Sequence, residues 1–284
     1  MSYLQLLSIN QAETTLSELD RLREKYQDTQ PLLQTSFAIS CILKLYPELY
    51  SNNELRKEFE TLIKEIGNRA ETEAADPLLL LLTLVNYQAL NIEINEALPI
   101  LETMKKELLS QPDEVLELGR LHLTKHLLNE LGIKLPKLPI GKDMSDFLQS
   151  PEDWLTASDE QLSNLIDIML ANQSTISTAD SDILSLIAIA ELRNYKVDLG
   201  SKILRFVIHH GKANAMVQEA IQFAAVQRRQ DGLYGFLNPF KEENMDDEMS
   251  LKGFHLPMTL NVLWLISCLQ SADSENGVEY VKYA

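Results

Sequence analysis

The chain has 284 residues, 45% of them hydrophobic, and a formal net charge of −17. That charge excludes a duplex nucleic-acid binder, which needs basic surface to displace counterions from phosphates, and disfavours docking on anionic membranes. Ten Gly and ten Pro are few for this length, and with abundant Leu, Glu and Ala they predict a mostly helical chain with a sizeable core.

Met1 to Asn10 lacks the basic start and long apolar run of a secretion signal. The most apolar run, Pro77 to Val85, is far too short to span a bilayer. Cys41 and Cys268 each fall inside an apolar helical pattern and read as buried thiols in a reducing compartment. The expectation is a cytoplasmic protein without disulfides.

Helical periodicity runs almost throughout. Thr14–Tyr26 places Leu16, Leu19 and Leu22 between charges. Pro31 opens a helix to about Tyr46. Asn53–Ile66 is amphipathic, with Asn53 expected as its cap and Gly67 as its stop. Asp76-Pro77 starts a helix that is apolar on nearly every face, which belongs at the centre of the packing. Asn95–Leu109 and Asp113–Leu131 follow, the second stopping at Gly132. Short connections between such segments predict antiparallel helix pairs.

Residues 132–142 break the pattern, because Pro136 and Pro139 each push the preceding Leu towards extended geometry. The chain thus reads as one helical domain, 1–284, or as halves 1–131 and 143–284 joined by this extended segment. The second half resumes with Ser158–Ala171, where Ser158 and Gln161 have capping-box spacing. Ala179–Arg193, Leu199–His210 and Ala213–Arg229 come next, then an acidic loop over 238–253, then the apolar helix Met258–Leu269. No strict repeat period is present.

After the helix ending near Arg229, Asp231-Gly232-Leu233-Tyr234-Gly235-Phe236 turns the chain back towards apolar surface. Gly232 and Gly235 supply φ > 0 for the reversal, Gln227 can satisfy a helix end, and Phe223, Tyr234 and Phe236 can pin the turn onto neighbours. The spacing of Phe223, Gln227, Gly232 and Tyr234 resembles the turn motif of α/α-toroid proteins, the helical barrels of terpene cyclases and protein prenyltransferase β subunits. The resemblance covers about fourteen residues. It implies an α/α-toroid-like barrel and a place in biosynthetic metabolism; the alternative is an irregular helical-repeat superhelix. The acidic motifs of the terpene enzymes are absent, and residues 242–248 read as a solvated acidic loop.

His122, His126 and Glu130 recur every fourth residue, so one helix face could present three zinc ligands. The metalloprotease pattern fails, since Leu123 follows the first His, and no metal or other cofactor is predicted. His209 and His210 point about 100° apart and read as cations at a helix C-terminus. Arg120, Lys125, Lys134, Lys137 and Lys142 form a basic island in an acidic chain.

The reading that follows is a helical binding or accessory protein holding an apolar ligand or peptide in a central cleft, or meeting a partner protein. Leu78–Val85, Leu184–Leu192 and Met258–Leu269 are the expected lining. One alternative is a toroid-type cyclase or transferase, with Asp231, Arg228, Tyr234 and His122 as candidate catalytic residues. Another is a helical-repeat interaction scaffold. Neither nucleic acid nor membrane is an expected partner.

Overall fold

The computed structural model describes residues 6–26, 28–69, 76–110, 118–135, 152–171, 175–210, 214–235 and 251–276. Among these the protein is all-α, with twelve α-helices and no strand. None of the helices is long and apolar enough to cross a membrane.

The helices are α1 (Ile9–Lys25), α2 (Thr29–Leu45), α3 (Asn52–Arg69), α4 (Pro77–Ala89), α5 (Leu98–Ser110) and α6 (Leu118–Glu130), then α7 (Glu152–Thr156), α8 (Asp159–Ala171), α9 (Thr178–Arg193), α10 (Val197–His209), α11 (Ala215–Ala225) and α12 (Leu256–Asn276). The starts follow from side-chain oxygens satisfying the free N–H groups of a first turn. Ser8 and Gln11 form a reciprocal capping box on α1, as do Ser177 and Asp180 on α9. Ser158 and Gln161 make the expected pair at 2.9 and 3.2 Å ahead of α8. Asp76 caps α4 by accepting from the Leu78 N–H, with Pro77 in the first helical position.

Several sequence expectations are corrected. α1 starts at Ile9, because the Ser8 capping box precedes the apolar periodicity. The cap ahead of α3 is Ser51, whose hydroxyl accepts from the Glu54 N–H, and Asn53 lies inside the helix. Gly67 does not stop α3, which runs to Arg69; Gly132, at φ +83°, does follow the end of α6. Part of the segment read as an acidic loop is helical, since a π turn at Leu251–His255 leads directly into α12. Residues 136–151 and 236–250, including Lys137, Lys142, Phe236 and the acids at 242–248, lie outside the described residues.

The even-numbered helices contact one another in a closed sequence: α2 with α4, α4 with α6, α6 with α8, α8 with α10, α10 with α12, and α12 with α2. The odd-numbered helices pack against this set and one another, with α1 and α3 on α2, α5 on α6, α9 on α10, α7 on α9, and α11 on α9 and α12. Composition sorts the two sets. α2 and α4 bury most of their surface, and α12 is buried at nearly every described position from Leu256 to Leu269. α1 buries one stripe made of Ala12, Thr15, Leu16, Leu19 and Leu22.

Several neighbours in the even set run in the same direction. Gln30 reaches the Asp76 N–H near the start of α2 and α4, while Ser40 meets Asn86 near their ends. Lys196 pairs with Asp159 just ahead of α10 and at the start of α8, and Lys202 pairs with Asp167 further along both. Asp198 bonds to Asn261, and Arg205 lies over Trp264.

Candidate functional site

α10 and α12 carry the polar groups that these directions bring together. On α10, Asp198, Lys202 and Arg205 are spaced four and three residues apart and share one face. On α12, Asn261, Trp264 and Cys268 do the same. Both stripes interrupt otherwise buried helices: Ile203, Leu204, Phe206, Val207 and Ile208 surround the two cations, and Val262, Leu263, Leu265 and Ile266 surround Trp264.

Trp264 is the hinge of the group. The Phe37 ring of α2 meets it edge-on at 4.9 Å, and the Arg205 guanidinium lies 3.5 Å from its ring centroid on a cation–π contact. Arg205 Nη1 donates to Asn261 Oδ1 at 3.0 Å. Asn261 Nδ2 in turn donates to Asp198 Oδ1 at 2.6 Å and to the Pro257 carbonyl at 3.0 Å. The amide therefore fixes the guanidinium, and the carboxylate fixes the amide. No carboxylate stands at ion-pair distance from Arg205 among the described residues, and burial pulls its pKa down to about 10.

Beside it, Lys202 Nζ donates to Asp167 Oδ2 and to Ser163 Oγ, each at 2.7 Å. Burial works against both charges of this pair. It raises the Asp167 pKa and lowers that of Lys202, and their mutual attraction offsets part of each shift. Asp167 Oδ1 is buried without a partner among the described residues. Arg205, Lys202 and Cys268 thus lie deep in the protein, yet each keeps partial solvent exposure. Cys41 is fully buried on the facing helix α2. Burial pushes its thiol up to about 12 and raises that of Cys268 too, so both stay protonated at neutral pH.

The turn after α11 has a different geometry. Gly232, at φ +92°, sits where a Cβ would press on the Thr15 backbone at 3.0 Å, and its carbonyl accepts from Thr15 Oγ1 at 2.7 Å. Gly235 is needed for close approach and not for a positive φ: a Cβ there would fall 2.2 Å from His255 Nδ1. Gln227 Nε2 reaches the Phe223 carbonyl at 3.4 Å, and the Gln227 carbonyl accepts from the Gly235 N–H at 3.1 Å.

Asp231 accepts from the Leu233 N–H and from Arg229 Nε. Arg228 donates to the Gln11 carbonyl at 2.9 Å on α1. The Tyr234 N–H donates to Thr259 Oγ1 at 2.8 Å on α12, and its buried hydroxyl has no partner among the described residues. Burial pushes that hydroxyl up to about 12. The arrangement ties α1, α11 and α12 together through backbone groups, and these contacts commit Arg228 and Asp231 to holding the turn.

His122 is buried on α6 and takes no part in that network; burial first, and Lys125 second, lower its pKa. His126 pairs with Glu130 at 3.3 Å on the same helix. No three His, Cys, Asp or Glu side chains gather in a metal-holding arrangement among the described residues. His209 is exposed, and His210 Nδ1 meets the Phe206 carbonyl at 2.7 Å in the last turn of α10. In the basic island, Arg120 pairs with Asp76 at 2.6 Å. The Leu184–Leu192 stretch belongs to α9, which packs on α10, α11 and α7.

No family model matches the chain, and no curated protein or solved structure matches it either.

Proposed function

We propose that the protein is a helical binding or accessory protein built as an α/α toroid, with even-numbered helices as the inner wall and odd-numbered helices outside. It holds an apolar ligand or peptide within the inner ring. The carrying observation is that Arg205, Lys202 and Cys268 are deep and still partly exposed. A solid core leaves such residues no solvent contact, and their exposure supports an interior space between α8, α10 and α12. The contact between α2 and α12 supports the closed form, because an open superhelix separates its first and last helices.

A binding role is favoured over catalysis by the state of the reactive groups. Both thiols are held protonated, and Arg228 and Asp231 are engaged in the turn. Native mass spectrometry of the purified protein tests the reading. A retained small molecule or peptide, released on denaturation, is the expected result. A ligand-free spectrum, together with turnover of a prenyl or peptide substrate by the protein alone, contradicts it and favours the toroid-type enzyme.

A further inference from the structure

Arg205 carries a formal charge deep in the fold with one amide as its hydrogen-bond partner and one indole as its support. A guanidinium offers five N–H donors in a planar fork. One of them is used by Asn261. A charge largely withdrawn from water is costly unless a counter-ion repays it; Asp198 and Asp167 offset part of the burial from a distance, but no carboxylate of the described residues stands at ion-pair distance. The neighbouring acid, Asp167, is already committed to Lys202. The relay Asp198–Asn261–Arg205 nonetheless holds the guanidinium in one orientation, the arrangement a planar anion needs for bidentate docking. Trp264, partly exposed and backed by the buried Phe37 ring, provides apolar surface immediately beside it.

We propose that the interior ligand carries an anionic group, a carboxylate or a phosphate, that docks on the Arg205 guanidinium while its apolar body lies against Trp264. Lys202 stands as the second cation, and Asp167 keeps it in place. This rests on the reading that the inner ring encloses a ligand space, and deepens it by naming the charge of the occupant. Asn261 and Asp198 are positioning residues that act through Arg205.

Calorimetric titration with decanoate, decyl phosphate and decanol, below their micelle concentrations, tests this. The expected result is that at least one anion binds the native protein tenfold or more tighter than decanol, with the tighter anion identifying carboxylate or phosphate. Arg205→Gln removes that preference and leaves decanol binding within about twofold. Equal affinity for all three probes on the native protein overturns the proposal while leaving the ligand space standing. So does a preference that survives in Arg205→Gln. Absence of binding by every probe overturns the ligand space itself and the proposal with it. The comparison on the native protein decides the matter even where the variant does not fold.

Discussion

At Gly235 the side chain that is missing matters more than any that is present. A methyl there would overlap the His255 imidazole at 2.2 Å, and the ring is itself buried and in hydrogen-bond contact with Arg229. Gly235→Ala should lower stability by roughly 1–3 kcal/mol, the usual cost of overpacking a filled site, measured by urea denaturation; a change within about 0.5 kcal/mol, the level of an ordinary surface substitution, would mean the turn adjusts freely.

The ion pair inside the fold sets a second residue-scale expectation. Asp167→Asn leaves the Lys202 ammonium buried without its carboxylate, a loss of about 3–5 kcal/mol. The double variant Asp167→Asn with Lys202→Met should recover most of it. If the double variant is as unstable as the single one, the pair is not the source of the loss.

His122 adds a pH dependence. Burial lowers its pKa in the folded chain, so the unfolded chain binds the proton more readily. Stability from this group is therefore full above the ordinary histidine value of about 6.5 and falls as pH drops through it, levelling off below the lowered folded value. Thermal melts from pH 7.5 to 5 should show a shallower decline in His122→Gln, and identical slopes would remove His122 as the cause.

At the scale of elements, the starts of α4 and α8 are legible in the sequence, while those of α1 and α3 are displaced from the expected residues. Capping is local chemistry, so Ser158 and Gln161, or Asp76 and Pro77, announce their helices within four residues. The Ser177 box is of the same kind, and Ser177→Ala should cost about 1 kcal/mol through unsatisfied N–H groups at the start of α9; an unchanged denaturation midpoint would show the cap to be redundant. The polar face of α10 and α12 leaves only a faint signal in the sequence. Lys202 and Arg205 are charges in the middle of an apolar run, and Asn261, Trp264 and Cys268 recur at helical spacing. What the sequence lacks is the pairing: Arg205 meets Trp264 and Asn261 across 56 to 59 positions of chain, which no local pattern encodes.

At the scale of the molecule, the turn after α11 joins both ends of the described chain, linking Thr15 of α1 to α12 through Gly232 and Tyr234. All-helical character was legible because periodicity and low Gly and Pro content are carried by every segment. The closed sequence of contacts was not, since α2 and α12 lie more than two hundred residues apart. In the proposed toroid, closure gives Arg205 and Trp264 a common interior to face.

That interior is tested most directly by Trp264 itself. In a Trp154→Phe variant it is the sole tryptophan, and its emission can be followed while decanol is added. A ligand space beside Trp264 gives a saturable change in intensity or wavelength, with the midpoint unaffected by salt. Emission that stays constant to the solubility limit of decanol, in a variant whose circular dichroism matches the native protein, contradicts a ligand space beside Trp264.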